Sequence, residues 1–302
     1  MEQTESIAVL IPCLNEEKSV VSVIEGFQES LPASQIYVYD NCSSDRTAEL
    51  AALAGATVRS QPKIGKGNTL RKMFADIEAE HFLLIDGDGT YVPAEAPLLI
   101  KKLKEENIEM VVGRRNAMEH DQKHRLGNKA FNWLYRRLFG NDFTDIFSGY
   151  RLLSRRFVKS FPLTSNGFEV ETEMSVHASQ LNIPCGEVDV SYHPRADGSE
   201  SKLRTFPDGF KVLRSIFTLL KDNRPILLFG GIASLLTIAA LIIGIPVVIS
   251  FAETGLVERL PSAVLSSALI IVALIQFSLG LLLDSVARGR LELKRLSYLQ
   301  AK

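Results

Sequence analysis

A chain of 302 residues with a formal charge of -1, 46% hydrophobic and 23% charged, has the bulk properties of neither a disordered protein nor a nucleic-acid binder. It is long enough for a large core and one further element. That element is visible: Ile226 to Ala252 and Leu260 to Leu283 carry no charge, and each exceeds the roughly 20 residues a helix needs to cross about 30 Å of hydrocarbon. Two membrane spans are therefore expected.

The first residues, Met1 to Ser6, are polar and acidic, which predicts no cleavable signal. Ile7 to Ile11 reads as a strand, Pro12-Cys13-Leu14-Asn15-Glu16-Glu17 as a polar loop, and Ser19 to Glu29 as a helix with Val20, Val23, Ile24 and Phe27 on one face. Ile36 to Tyr39 repeats the pattern, and Ser44 or Asp45 caps a second helix through Ala54. Thr57 to Ser60 is a third strand, and Gly65-Lys66-Gly67-Asn68 opens a helix through Ala79. Lys66 has no glycine five residues upstream and no Ser or Thr after it, so this is no P-loop.

The apolar run Phe82 to Ile85 then reads as a buried strand of a parallel sheet. Asp86 and Asp88 fall just past its carboxyl end, where open α/β sheets bind their ligands. Gly87 and Gly89 let the backbone turn beside them. Two such carboxylates suit a hard divalent cation that in turn holds phosphate oxygens, although a solvated acidic turn has the same letters. A third glycine is missing because position 92 is Val92, which excludes the dinucleotide fingerprint and with it hydride transfer.

Pro93 starts a helix to about Glu106, Met110 to Gly113 is a strand, and Arg114-Arg115 follows. Lys123, His124, Arg125, Lys129, Arg136 and Arg137 are interleaved with Leu126, Phe131, Trp133, Leu134 and Leu138. Such a stretch is either a solvated helix face or a contact with anionic headgroups or a lipid phosphate. Asp145 to Arg151 is a loop entering a strand at Leu152 and Leu153. Phe168 to Glu173 opens a helix to about Gln180 with acids in its first turn, as the helix dipole prefers. Ile183 to Tyr192 is the last strand, and His193 to Lys202 is a polar loop. Phe206 to Asn223 reads as a helix lying in a membrane interface.

Lys211, Arg214, Lys221 and Arg224 precede the first span, Arg288, Arg290, Lys294 and Arg295 follow the second, and only Arg259 lies between. Both ends are thus expected in the cytoplasm, in a multi-pass cytoplasmic-membrane protein with two transmembrane helices. The organisation reads as a cytoplasmic α/β domain over 1–205, a juxtamembrane amphipathic helix over 206–224 and a transmembrane hairpin with a basic tail over 225–302. Cys13, Cys42 and Cys185 have no metal-ligand spacing and read as small buried side chains.

With these residues in place, the chain resembles the family 2 glycosyltransferases of GT-A fold, and among them the bacterial polyprenyl-phosphate glycosyltransferases and dolichyl-phosphate mannose synthase. The resemblance covers about 7–204 and rests on six elements in order. They are Pro12-x-x-Asn15-Glu16, Asp40, Asp86-x-Asp88 with Pro93, Val111-Val112-Gly113-x-Arg115, Asp145-x-x-Ser148-Gly149-Tyr150-Arg151, and Arg195-x-x-Gly198 with Ser201-Lys202-Leu203. Asn41 departs from the usual second acid after Asp40, and Thr90 from a common glutamine.

The resemblance implies a nucleotide-diphospho-sugar transferase fold, α/β, with a mostly parallel sheet and helices on both faces. It further implies that Pro12, Leu14, Asn15, Glu16, Asp40 and Lys66, with Asp86, Gly87, Asp88, Arg195 and Lys202, bind the nucleotide sugar. Asp86, Asp88 and Thr90 would hold Mg²⁺ or Mn²⁺. Asp86, Asp88, Arg115 and Asp145 would carry the chemistry, and Arg115, Arg125 and Lys129 the acceptor phosphate. A lipid phosphate, already anionic at neutral pH, needs cations to position it, whereas a sugar hydroxyl needs a base, for which Asp145 is the candidate.

The function this implies is metal-dependent transfer of one hexose from a UDP- or GDP-linked donor to polyprenyl phosphate at the cytoplasmic membrane face. The alternatives are another acceptor, such as a sugar hydroxyl or a different lipid, and a non-catalytic nucleotide-binding scaffold. A processive polysaccharide synthase is excluded, because the sole tryptophan, Trp133, follows Asn132 and so cannot complete a Gln-x-x-Arg-Trp motif. Nucleic acid is not an expected partner, and the oligomeric state is open, a homo-oligomer included.

Overall fold

The computed structural model describes residues 6–115, 132–133, 135–140, 143–167, 169–194, 217–218 and 220–301. Strands β1 (Ile7–Cys13), β2 (Gln35–Asp40), β3 (Thr57–Ser60), β4 (His81–Leu84), β5 (Met110–Arg115), β6 (Arg151–Ser154) and β7 (Cys185–Val190) form one sheet in the order β3-β2-β1-β4-β6-β5-β7. Helices α1 (Val20–Ser30), α2 (Thr47–Leu53), α3 (Lys66–Asp76), α4 (Ala96–Glu106), α5 (Arg155–Ser160) and α6 (Val170–Leu181) connect or follow these strands.

Successive side chains of a strand point to opposite faces, and the core divides accordingly. Val9, Ile11, Val38, Leu83, Ile85, Val111 and Leu152 pack with Val20, Val23, Ile24 and Phe27 of α1 and Leu99 and Leu103 of α4. Their alternates Leu10, Phe82 and Leu84 are fully buried as well, and Phe82 meets Phe74 of α3 edge-on at 6.3 Å between centroids. A sheet covered on both faces explains why these strands are unbroken apolar runs.

The sheet is mostly parallel, as expected, with one antiparallel strand. β6 runs antiparallel to both β4 and β5, with Arg151 opposite Leu84 and Val112. Periodicity is the same in either direction, so the reversal has no signature in the side-chain pattern. Its consequence is positional: the start of β6, rather than its end, reaches the edge where β1, β2, β4 and β5 finish, and the preceding 145–150 loop arrives there too.

Smaller differences have local causes. Pro93–Glu95 is a 3₁₀ turn before α4 proper, as suits a proline at a helix start. The short α5 has too few residues for a periodic signal; Ser154 caps it by accepting from the Phe157 N–H at 3.0 Å. Cys13 is buried but Cys42 is exposed, in a turn with φ of +66°.

The chain forms two compact units, one of Met1–Asp208 together with Lys294–Lys302, the other of Gly209–Leu293. The second contains most of the long helices α7 (Pro225–Thr254) and α8 (Leu260–Gln300), both long and apolar enough to cross a membrane. Lys294 to Lys302 was expected with the hairpin but belongs to the first unit. Tyr298 gives the reason: its ring lies 4.0 Å from the Arg156 guanidinium, its hydroxyl donates to Glu109 at 3.0 Å, and its carbonyl accepts from Arg156 at 2.9 Å. Of the expected 206–223 helix, 217–218 and 220–223 are helical, and the remainder lies outside the described residues.

Candidate active site

The ends of β1 and β2 build one wall. Pro12 sits opposite Tyr39 and Cys13 opposite Asp40, so the loops that follow run side by side. Asn15, at a φ of 54°, donates its backbone N–H to the Ser43 hydroxyl at 2.9 Å and accepts from the Ser44 N–H at 2.7 Å. The buried Glu16 donates its N–H to Thr47 at 2.8 Å, and Leu14 is half-buried beside them. Asp40 accepts from the Ser43 N–H through Oδ2 at 3.2 Å, while its Oδ1 is buried with no hydrogen-bond partner among the described residues. An orphaned buried carboxylate oxygen is costly, and a ligand donor arriving there would relieve it.

Asn41 explains its own departure from an acid. Its amide nitrogen donates to the carbonyls of Gln61 and Lys63 at 2.9 and 2.8 Å, and its oxygen accepts from the Gly65 N–H at 2.7 Å. An aspartate has no donor for the first two, so the amide is what ties the 61–65 segment to the end of β2.

The acidic turn after β4 is tightly built. Gly89 has a φ of +72°, which favours glycine. A Cβ on Gly87 would meet the Cys13 sulfur at 2.5 Å. Asp88 is 5% exposed, and its Oδ1 accepts from both the N–H and the hydroxyl of Thr90, at 3.1 and 2.7 Å. The Thr90 hydroxyl thereby orients Asp88 through its proton, while its oxygen keeps lone pairs for another partner. Among the described residues no three or more His, Cys, Asp or Glu side chains form a metal cluster. A pair of carboxylates still fits a hard divalent ion that completes its shell with phosphate oxygens and water.

Lys66 does not point to an open cradle. From the first turn of α3 it forms ion pairs with Asp86 and with Glu171 of α6, and its side chain is 8% exposed. Burial pulls the ammonium down in pKa, but the two carboxylates outweigh it and raise the net value. Burial raises Glu171, partly offset by Lys66. Glu171 was legible only as a favourable first-turn acid; its place beside Asp86 comes from the long-range arrival of α6.

The opposite wall comes from β5, β7 and the loop before β6. Arg115 grips Asp145 bidentately, with both bonds at 2.7 Å, and its guanidinium lies 5.3 Å from the Tyr192 ring centroid. Arg114, still within β5, pairs instead with Asp189. Tyr91 meets the Tyr150 ring at a tilt and the Tyr192 ring edge-on, and its hydroxyl accepts from the Gly149 N–H at 3.0 Å. Burial raises the Tyr91 phenol strongly, so it stays protonated. Gly149 has no room for a side chain, since a Cβ there would lie 2.3 Å from the Asp86 carboxylate. Gly149→Ala should therefore lower turnover by about tenfold or more by displacing Asp86; steady-state kinetics on folded protein check this.

Thus Pro12, Asn15, Glu16, Asp40, Lys66, Asp86, Asp88, Arg115 and Asp145 all lie on the carboxyl edge of the sheet or the loops beyond it. Arg125, Lys129, Arg195 and Lys202 lie outside the described residues. Glu171, Tyr91 and Tyr192 are the side chains that sequence reasoning did not single out.

Comparison with known proteins gives this edge its context. Glycosyltransferase AglJ of Haloferax volcanii is 32% identical over 99% of this chain and 100% of its own length. Agl6, a hexosyltransferase of low-salt glycan biosynthesis in the same organism, is 30% identical over 75% of this chain and 55% of its own. Among solved structures, glucosyl-3-phosphoglycerate synthase of Mycobacterium tuberculosis, crystallised with Mn²⁺, UDP-glucose and phosphoglyceric acid, superposes with a TM-score of 0.58 over 72% of this chain and 79% of that one. At 23% identity that likeness speaks to the fold, which is GT-A. The profile of glycosyl transferase family 2 matches residues 8–161, and with a full-length relative on the same pattern the chain belongs to that family of glycosyltransferases.

Proposed function

We propose that this glycosyltransferase moves one hexose from a UDP- or GDP-linked donor to polyprenyl phosphate at the cytoplasmic membrane face. The carrying observation is the Asp86-Gly87-Asp88 turn at the carboxyl edge of a domain that precedes two helices long enough to span a bilayer. A hexosyl donor is supported by Agl6, a hexosyltransferase, and by a protein of the same fold crystallised with Mn²⁺ and UDP-glucose.

Pro12, Leu14, Asn15, Glu16 and Asp40 would line the nucleoside side, with the orphaned Asp40 Oδ1 available to a donor on base or ribose. Asp86 and Asp88 would hold the divalent ion, which neutralises the leaving diphosphate. Lys66 would contribute by fixing Asp86, a change from direct contact with the donor.

The Arg115–Asp145 pair favours an acceptor that needs no base. Both Asp145 oxygens accept from Arg115, which leaves the carboxylate poorly placed to take a hydroxyl proton. A phosphate monoester, with a second pKa of about 6, is already a nucleophile at neutral pH. The Arg115 donors on Nη1, not spent on Asp145, suit such an anion. Arg125, Lys129, Arg195 and Lys202 remain proposed phosphate contacts on the strength of the resemblance.

The test is nucleoside diphosphate release by the purified full-length protein from UDP- and GDP-sugars, with and without polyprenyl phosphate and divalent metal. Release that requires both is expected. Release indifferent to the lipid phosphate overturns the acceptor, and no release with any sugar donor leaves the scaffold reading.

Charge asymmetry further supports an orientation with the 255–259 turn outside the membrane and the catalytic domain inside. A cysteine introduced at Thr254, the last residue of α7, should react with a membrane-impermeant thiol reagent in intact cells. Labelling only after lysis would reverse the topology.

A further inference from the structure

Arg151 is the largest of the fully buried side chains, and none of the roles above uses it. It ends the Asp145-x-x-Ser148-Gly149-Tyr150-Arg151 motif and starts β6. Its guanidinium donates from Nε to the Ser148 carbonyl at 2.9 Å, from Nη2 to the Ile146 carbonyl at 2.9 Å, and from Nη1 to the Ser175 hydroxyl of α6 at 3.0 Å. Among the described residues no carboxylate lies within ion-pairing distance of it, although Glu171 and Asp145 act on it through space. A buried cation held only by neutral acceptors, these oxygens and the Met110 sulfur at 3.7 Å, is expensive, and a packing role alone is filled more cheaply by an apolar side chain.

We propose that Arg151 is a positioning residue that sets the places of Asp86 and Asp145 by clamping the 145–149 loop to α6. The loop it holds by two carbonyls carries Asp145, the partner of Arg115, and Gly149, whose backbone abuts the Asp86 carboxylate. The helix it holds through Ser175 carries Glu171, which shares Lys66 with Asp86. Ser175 completes the link by donating to the Glu171 carbonyl at 3.1 Å. Two routes thus lead from one guanidinium to Asp86, one through the loop and one through the helix. The planar fork is what permits this, because its donors leave in fixed directions toward three oxygens, which an ammonium on a flexible stem does not reproduce. This inference rests on the reading of the Asp86/Asp145 edge as the site of sugar transfer.

The experiment uses the full chain in lipid nanodiscs, with Arg151→Lys and Ser175→Ala as variants. Hydrogen exchange of segments 144–150 and 170–176 is measured beside the kcat and KM for release of nucleoside diphosphate from the sugar donor accepted by the unaltered protein. Arg151→Lys should speed exchange in both segments and lower kcat per folded molecule by about tenfold to a hundredfold, with KM for the donor changed by less than about threefold. Ser175→Ala should speed exchange in 170–176 only, with a smaller loss in kcat. A purely structural arginine would lower the unfolding temperature and leave the kcat of folded molecules within about twofold, and that result overturns the proposal. Where Arg151→Lys does not fold, an unchanged kcat in Ser175→Ala overturns the helix route and a lowered one supports it. An unaltered protein that releases no nucleoside diphosphate would instead sink the proposed function, a distinct outcome.

Discussion

Asp88→Asn should lower turnover by about 10²- to 10³-fold while leaving the unfolding temperature close to that of the unaltered protein. The Asp88 oxygen that orders the turn accepts from the Thr90 N–H and hydroxyl, and an asparagine oxygen accepts the same two bonds. Those two bonds of the turn therefore survive, and what a divalent ion at this turn loses is one negative charge. Two measurements check it: turnover on folded protein, and Mn²⁺ affinity read by paramagnetic resonance, which should weaken in parallel. Undiminished turnover in the variant, or in the unaltered protein after complete chelation, would remove the metal from Asp88.

Lys66→Met should act on stability first. The substitution leaves Asp86 and the fully buried Glu171 without their shared cation, and breaking a buried ion pair by removing one partner costs about 3–5 kcal/mol. For a domain of this size that is a fall in unfolding temperature on the order of 10 °C. Its pH dependence has a definite sign. Burial raises the Glu171 pKa above the ordinary 4.5, and Lys66 is what lowers it again. Without Lys66 the folded state holds the Glu171 proton to higher pH than the unfolded state does. Stability contributed by that proton is present below the unfolded pKa and is lost as pH rises through the folded one. The deficit against the unaltered protein should hence be smaller near pH 5 than near pH 8. A variant that melts within about 2 °C of the unaltered protein at pH 8 would show that the triad is not the stabilising cluster described.

Much of this edge was legible because its residues are local to strand ends. Asp40, Asp86 and Asp88 follow apolar runs directly, and a parallel sheet delivers such positions to a common edge whatever the tertiary detail. Arg115 and Asp145 were legible as separate motif letters but not as a pair, since their meeting depends on the reversal of β6, which brings the 145–150 loop beside the end of β5. The same holds for Glu171, which a helix-dipole argument accounts for fully without predicting Lys66 across the site. Lys66 shows the opposite limit: a glycine-flanked lysine at a helix start suggests an anion cradle, but the carboxylates that occupy it lie 20 and 105 residues away in sequence. Asn41, seen at first only as a missing acid, became intelligible once its three partners in the 61–65 segment were in place.

The docking of Tyr298 onto Glu109 and Arg156 has a consequence in the order of synthesis. The unit that carries the sheet is discontinuous, interrupted by the stretch from Gly209 to Leu293. At about 5–20 residues per second, translating that stretch holds the earlier part waiting for roughly 4–17 s before Tyr298 exists. During this interval Glu109 has, among the described residues, Arg156 at 3.8 Å and the Ser154 hydroxyl as side-chain partners. All of α7 and most of α8 are therefore made before the domain that precedes them receives the Tyr298 contact. A ribosome halted just short of Lys294 would carry every strand of the sheet and the whole acidic turn, yet leave the far end of β5 and the start of α5 unsealed.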